Sequence, residues 1–386
     1  MLRGQRESAL PPLFSSNSSF STPPTSDQIE ITIIGPGFGE AVLCHVGDGK
    51  WILVDSCMGT GDTVPTPLAY LDAIGVDHQQ LMMIVVTHWD DDHCKGISKI
   101  VEACPDAQIV MSKAFVQKDF LSFVASYDSP LTQKVRSGVK ELKEVASSIA
   151  TRGKPIKGAF PNCRLVGPTE HKFSHGKTLE VFSLSPSEEE YDNFLLWTAE
   201  QMPNVDETRR VAVKRIRNDL SVVLHIKLGD DVILLGGDLE EEGKTTTGWS
   251  AILASGARPQ EKAHLFKVSH HGSHNGHHDG ILTDLLVEQP IAIVAPFKNG
   301  SVSLPTANDV KRISEYASKS YTTASLASRA PERKDATVEK IIKQVTHRYS
   351  AIKSDPGMIR LRKKAGESGD WSVEKFGDAT ELNKIF

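Results

Sequence analysis

Short apolar runs separated by turn-forming clusters dominate the first third of the chain. Ile29 to Ile34 alternates and is rich in β-branched residues, which predicts a strand turned by Gly35-Pro36-Gly37-Phe38-Gly39. Ala41 to Val46 and Trp51 to Val54 predict two more strands, joined by Gly47-Asp48-Gly49-Lys50, a hairpin signal. Pro67 to Ile74 reads as a helix, Met82 to Val86 as a buried strand, Gly96 to Ala103 as a helix and Ala107 to Met111 as a strand. The stretch from Ser112 to Ile156 differs, being rich in Lys, Glu, Ala, Ser and Val at helical spacing, and predicts a helical insertion. β character resumes at Arg164–Val166 and Thr178–Leu184. It recurs at Ser221–Leu228, turned by Gly229-Asp230-Asp231 into Val232–Leu235, then at Leu265–Val268 and Ile291–Ala295. Alternating strand and helix predicts an α/β architecture.

Composition narrows the class without naming a function. The 386 residues are 39% hydrophobic and 24% charged, as in ordinary globular proteins. A net charge of −5 excludes a globally basic nucleic-acid binder but leaves room for a local basic groove. No apolar stretch approaches the roughly 20 residues of a membrane span, so no membrane partner is expected. Residues 1–27, dominated by Ser, Pro, Thr and Asn without an apolar h-region, are expected to form a disordered tail and not an export signal. Cys44, Cys57, Cys94, Cys104 and Cys163 lack paired spacing, which together with that tail predicts reduced thiols and a cytoplasmic location.

The chemistry gathers at strand ends. Thr87-His88-Trp89-Asp90-Asp91-Asp92-His93 packs two imidazoles and three carboxylates directly behind the Met82–Val86 strand. Groups this close repel and desolvate one another unless a cation sits among them. The plainer reading is a helix start with Asp90 or Asp91 as N-cap, but a cap has no need of two His. Asp238 follows Gly236-Gly237 at the end of Val232–Leu235, and His270-His271 follow Leu265–Val268, opening a His-rich run through His278. Strand ends on one side of a sheet converge. Two divalent ions there would neutralise the charge and supply a nucleophile near neutral pH. Cys94 reads as a small packing residue, and His171 and His175 as solvated loop residues.

His-x-Asp-x-Asp-His after an apolar strand, the later Gly237-Asp238, and Lys267-Val268-x-His270-His271-Gly272-Ser273 resemble the metallo-β-lactamase superfamily. The nearest branch looks like the hydrolase domain of ComEC-type DNA-uptake proteins, where the third motif position is likewise Asp, here Asp90. Gly35 to Val42, Ile52-Leu53-Val54-Asp55 and Asn218-x-x-Ser221-x-Val223-Leu224 also match that branch, and Gly357–Leu361 with Trp371–Val373 matches its terminal hairpin. The resemblance implies an αββα sandwich with a helical insertion. It spans about 28–377, with insertions near 112–156 and 325–356 and a C-terminal tail at 378–386.

By the same resemblance, His88 and Asp90 would bind one ion, Asp92 and His93 the other, and Asp238 would bridge them. Asp55 and Asn218 would support these ligands from behind. Asp92, His270 and His271 would stand at the reacting centre, with either imidazole, His271 foremost, also able to bind metal. Zinc is the implied ion, and the carboxylate at Asp90 makes manganese a rival. Two positions depart from the pattern. Ser185-Pro186-Ser187 stands where many relatives carry a metal-binding His, and Leu304-Pro305 where the branch has His-Pro. One ion would then lack a ligand, unless His171, His175 or water supplies it.

The implied activity is metal-dependent hydrolysis by a metal-bound hydroxide, with a phosphodiester substrate such as DNA, RNA or a nucleotide. Arg209, Arg210, Lys214, Arg215 and Arg217 form a basic run suited to phosphate contacts. Hydrolysis of another ester or a lactam is the alternative within the superfamily, and a degenerate nucleotide- or partner-binding module the alternative outside enzymes. The insertions are candidate surfaces for a protein partner.

Overall fold

Two eight-stranded sheets pack face to face through alternating apolar residues. The computed structural model describes residues 20–35, 39–59, 62–117, 141, 143–148, 155–201, 218–326 and 357–386. In the first sheet, β1 (Gln28–Gly35), β2 (Ala41–His45) and β3 (Trp51–Val54) form a meander, followed in space by β4 (Leu81–Val86), β5 (Gln108–Ser112) and β6 (Lys157–Ala159). β3 to β6 run parallel, because helices α1 (Thr66–Ala73) and α3 (Ile97–Ala103) carry the crossovers on the outer face. The second sheet contains β7 (Cys163–Val166), β8 (Leu179–Ser183), β9 (Leu224–Leu228), β10 (Asp231–Leu235), β11 (Ala263–Lys267) and β12 (Leu286–Val294), and then β15 (Lys319–Thr322). β10, β11, β12 and β15 are parallel neighbours. A small hairpin of β13 (Phe297–Asn299) and β14 (Val302–Leu304) stands apart from both sheets.

Period-two patterning explains the layers. Ile29, Ile31, Ile33, Ile52 and Val85 of the first sheet meet Val181, Ile226, Ile233 and Leu265 of the second in the inter-sheet core. The opposite faces are covered by helices. Ile84, Val86 and Leu53 pack under Leu68, Ile97 and Ile100, while Leu234, Phe266 and Ala292 pack under Trp249 and Ile313 of α4 (Gly248–Ala254) and α5 (Ala307–Tyr316). The layers are therefore αββα, as the resemblance implies.

Several expectations change. The chain is folded well before Gln28. Phe20, 2% exposed, stands edge-on to Tyr70 and Phe376, and its carbonyl accepts from Arg360 Nη1 at 3.0 Å. One large apolar residue in a polar tract is enough to anchor the segment. Nor are the last residues a free tail. Thr380–Glu381 pair with β15 as β18, and Leu382 and Ile385 are fully buried in the outer core of the second sheet. Ser221 to Val223 are not strand. Val222 N–H donates to Thr87 O and Val223 N–H to Ser185 Oγ, so this backbone ties the two sheets together before β9 begins. The terminal hairpin exists as β16 (Gly357–Lys364) and β17 (Ser372–Phe376), antiparallel, with β16 beside β1. Of the expected insertion at 112–156, Ser112 closes β5, Lys113–Val116 form a 3-10 turn and residues 143–148 are helical. Residues 118–140, 142 and 149–154, like the tail residues 1–19, the basic run 209–217 and positions 327–356, lie outside the described residues.

Arg360 is fully buried on β16, bonded to Glu374 at 2.8 Å and lying over the rings of Phe20 and Phe376. Arg360→Met should lower unfolding free energy by about 2–3 kcal/mol in a urea titration, because Glu374 retains some access to water. All five cysteines are free and buried, and burial pushes the Cys44 and Cys57 thiols up to about 12. Native protein should therefore leave a thiol-reactive chromophore unreacted, with five equivalents consumed only after denaturation.

Candidate metal centre

The parallel strands of both sheets release their chains at one end of the sandwich, and the polar cluster forms there. β3 leads into Asp55, β4 into His88 and the short helix α2 (Asp91–Cys94), β10 into Asp238, and β11 into His270-His271. Asp55, His270 and His271 take left-handed backbone conformations with φ of 61°, 46° and 53°. Three non-glycine residues held this way in one place indicate strain that the surrounding structure sustains. Gly237 (φ 51°) is needed where it stands, since a Cβ there would lie 3.2 Å from Val222 O.

Hydrogen bonds select the tautomer of each imidazole. Asp55 accepts from Thr87 N–H at 2.8 Å through Oδ1 and from the Thr87 hydroxyl at 2.6 Å through Oδ2. The single hydroxyl proton being used, Thr87 Oγ1 can only accept from His88 Nδ1, 2.9 Å away. His93 Nδ1 donates to Asp55 Oδ2 at 2.8 Å, and His271 Nδ1 to Ala295 O at 3.0 Å. All three rings thus turn Nε2 inward.

The inward atoms converge. Asp238 Oδ2 lies 3.1 Å from His271 Nε2, 3.3 Å from His93 Nε2 and 4.0 Å from His88 Nε2. Asp92 Oδ2 lies 3.2 Å from His271 Nε2 and 3.9 Å from His93 Nε2. Yet the three buried Nε2 atoms and Asp238 Oδ1 make no aligned hydrogen bond. Buried donor atoms that converge without bonding one another form a candidate site for a shared cation. Nitrogen and carboxylate donors of this kind suit zinc or manganese.

Electrostatics point the same way. Burial would raise Asp92 and Asp238, but the imidazolium charges of His271 and His93 hold both carboxyls below their ordinary range. Burial likewise opposes charge on His93 and His271, and the carboxylates outweigh it. His93 is raised well above its usual value and His271 to about 10, with Asp238 the chief cause for each. His88 is lowered by burial and by His93 beside it. The surrounding carboxylates thus favour positive charge at His93 and His271, the place an ion would take, while His88 favours the neutral ring.

Each expected residue has a definite place. His88, Asp92, His93, Asp238 and His271 come together, and Asp55 sits behind His93 and Thr87. Asp90 occupies the N-cap position of α2 but makes no capping bond, leaving its carboxylate available at the edge of the cluster. His270 points elsewhere, receiving Asn218 Nδ2 on Nε2 at 3.2 Å with Nδ1 at 3.5 Å from Glu240. Cys94 Sγ donates to Trp89 O at 3.3 Å and packs in the core beneath. His175 meets Val46 O at the β2–β3 hairpin, at the other end of these strands. Ser185 cannot replace the missing imidazole, its hydroxyl being engaged between Ser221 O and Val223 N–H.

Two residues of the centre escape the sequence reading. Glu40 and Lys267 are both buried, with the Lys267 ammonium against the Glu40 carboxylate. Donor atoms of Glu40, His93, Asp238 and His271 all lie within 4.8 Å of one another. Glu40, however, approaches His93 and His271 from their Nδ1 sides, at 3.7 and 3.6 Å, and so lies behind the rings. Nearby carboxylates, Glu40 first, keep the Lys267 amine charged against the opposing effect of burial. A lysine in the apolar run Leu265-Phe266-Lys267-Val268 was the available signal.

Residues 34–118 match the family model of the metallo-beta-lactamase superfamily. No curated protein matches the sequence significantly. Among solved structures the chain is similar to YhfI, a metallo-beta-lactamase fold protein of Bacillus subtilis, at 13% identity over 76% of this chain and 95% of that one, TM-score 0.40. It is similar to a motif mutant of a Cronobacter sakazakii metallo-beta-lactamase at 12% identity, covering 65% and 80% of the two chains, TM-score 0.32. A flavo di-iron protein mutant from Thermotoga maritima gives 13% identity over 54% and 37%, TM-score 0.24. The matched segment supplies β2 to β5 and the His88–His93 cluster at the end of β4, and the two packed sheets around it have the fold of that superfamily.

Proposed function

We propose that this domain is a metal-dependent phosphodiesterase or nuclease. The observation that carries the reading is the contact between Asn218 and His270. It joins the Asn-x-x-Ser and His-His-Gly-Ser segments, two pieces that resemble the DNA-uptake branch, beside the metal centre. Asn218 Nδ2 also donates to Glu240 Oε1 at 3.0 Å, and a carboxylate can only accept, so the orientation of the amide is determined. His270 Nε2 must then accept, which places the proton on Nδ1, an atom with no hydrogen-bond partner. A donor poised next to the centre suits a phosphate oxygen or the oxygen of a leaving group.

His88, Asp90, Asp92, His93, Asp238 and His271 would hold the ions, zinc or manganese. Bound there, divalent ions supply activation of water and stabilisation of developing negative charge. The chain's own contribution is positional. Asp55 and Thr87 fix the rings of His88 and His93, Ala295 O fixes His271, and Ser221 Oγ accepts from Asp238 N–H at 2.8 Å. Asp92 and Asp238 face the convergent Nε2 atoms, and His270 carries its Nδ1 proton beside Glu240, 3.5 Å away. The substrate would be DNA, RNA or a nucleotide. The insertions near 112–156 and 325–356 are proposed to contact substrate or a protein partner, and the protein to work in the cytoplasm. No helix among the described residues is long and apolar enough to cross a membrane.

Protein loaded with zinc or manganese should cleave at least one of single-stranded DNA, duplex DNA, RNA, a cyclic nucleotide or bis-p-nitrophenyl phosphate. Asp238→Ala should reduce cleavage to the metal-free background, and turnover confined to lactams or carboxylic esters would overturn the phosphodiester reading. His270→Ala should lower kcat by about 10²–10⁴-fold with a smaller change in KM, as loss of a proton donor requires. Asp55→Asn should weaken metal affinity by about 10–100-fold in competition with a chromophoric chelator, because His93 loses the partner that orients it.

A further inference from the structure

Glu40 and Lys267 form a buried ion pair at the back of the metal centre, and the mechanism above uses neither. Lys267 ends β11, 1% exposed; its ammonium touches Glu40, donates to Gly237 O at 3.1 Å and lies 3.9 Å from Asp238 Oδ1. Glu40 is equally constrained. Its N–H donates to Asp92 O at 2.9 Å, and Gly39 before it (φ 91°) has no room for a side chain, since a Cβ would lie 3.0 Å from Asp92 O. Its Oε2 has no hydrogen-bond partner, although His271 Nδ1 is 3.6 Å away, while Oε1 lies 3.7 Å from His93 Nδ1. A carboxylate this near two metal-ligand imidazoles, with a spare oxygen, is a ligand in waiting unless something restrains it.

We propose that Lys267 is a positioning residue that holds Glu40 on the Nδ1 side of His93 and His271, keeping this extra carboxylate out of the metal's ligand set and thereby tuning which ion the site prefers. The proposal rests on the metal-centre reading above. Four buried carboxylates, Glu40, Asp55, Asp92 and Asp238, surround one buried ammonium, leaving three net negative charges. Two divalent ions nearly balance that total. With Lys267 gone, Glu40 is both uncompensated and released, and an added carboxylate ligand favours the harder manganese over zinc. With Glu40 neutralised, Lys267 has Asp238 as its nearest carboxylate and competes there with the ion.

The test is metal binding itself, measured for zinc and manganese by chelator competition and elemental analysis. Lys267→Met should raise the ratio of manganese to zinc affinity by about 10-fold or more, and Glu40→Gln combined with Lys267→Met should return it near the wild-type ratio. Glu40→Gln alone should weaken both ions by about 10-fold, and it decides the matter if Lys267→Met does not fold. An unmoved ratio in folded Lys267→Met, or unchanged affinities in Glu40→Gln, overturns the proposal while leaving the hydrolase reading intact. A wild-type protein that binds neither ion overturns the metal centre and the role of Lys267 together. Because the readout is binding, a failure to cleave phosphodiesters leaves the assignment of Lys267 untouched.

Discussion

Four carboxylates buried at one end of a two-sheet sandwich set the terms for the structure around them. Bringing like charges this close, away from water, is tolerable only if cations or donors meet each one. Every nearby element answers that demand. Thr87 and His93 satisfy Asp55, Lys267 meets Glu40, and the imidazoles of His93 and His271 face Asp238 and Asp92. Among the atoms left without a hydrogen-bond partner are the three Nε2 atoms that converge on Asp238 Oδ2. The same constraint thus orders the scaffold and defines the site.

The scaffold transmits this order through short connections. Asp55 takes a left-handed backbone so that its carboxylate can reach β4, and His270 and His271 do likewise at the end of β11. Val222 N–H on Thr87 O joins the two sheets at the level of the centre, so ligands from different sheets keep their spacing. Parallel strands of both sheets end here, as in other α/β arrangements, where side chains from distant segments can be aimed at a common point. Rigid elements behind and constrained loops in front are what a preorganised site requires.

Much of the sandwich was legible from local pattern. The β1–β2–β3 meander, β4, β5 and β10 lie where apolar runs and turn residues put them, and the hairpin of β16 and β17 where the resemblance puts it. Helix α5 has a start signal in the capping box of Thr306 and Asp309, but the sequence expectations place no helix there. The tail boundaries failed for a different reason. Polar composition predicted disorder at Phe20–Asp27, but Phe20, Leu382 and Ile385 are single apolar anchors whose burial depends on partners far away in sequence.

The sequence by itself determined the donor chemistry. Imidazoles and carboxylates clustered behind apolar runs imply a cation, and His88, Asp92, His93 and Asp238 follow β4 and β10, whose continuous apolar runs end just before them. Tertiary structure alone decided how those donors are used. His270 and His271 are adjacent and chemically alike, yet the left-handed turn sends one to Asp238 and the other to Asn218. Glu40 and Lys267 are separated by most of the chain, and their pairing arises only when β11 closes against the turn before β2. A residue's identity states which atoms it can offer; direction and neighbours, set by packing across the two sheets, determine which of those atoms reach an ion.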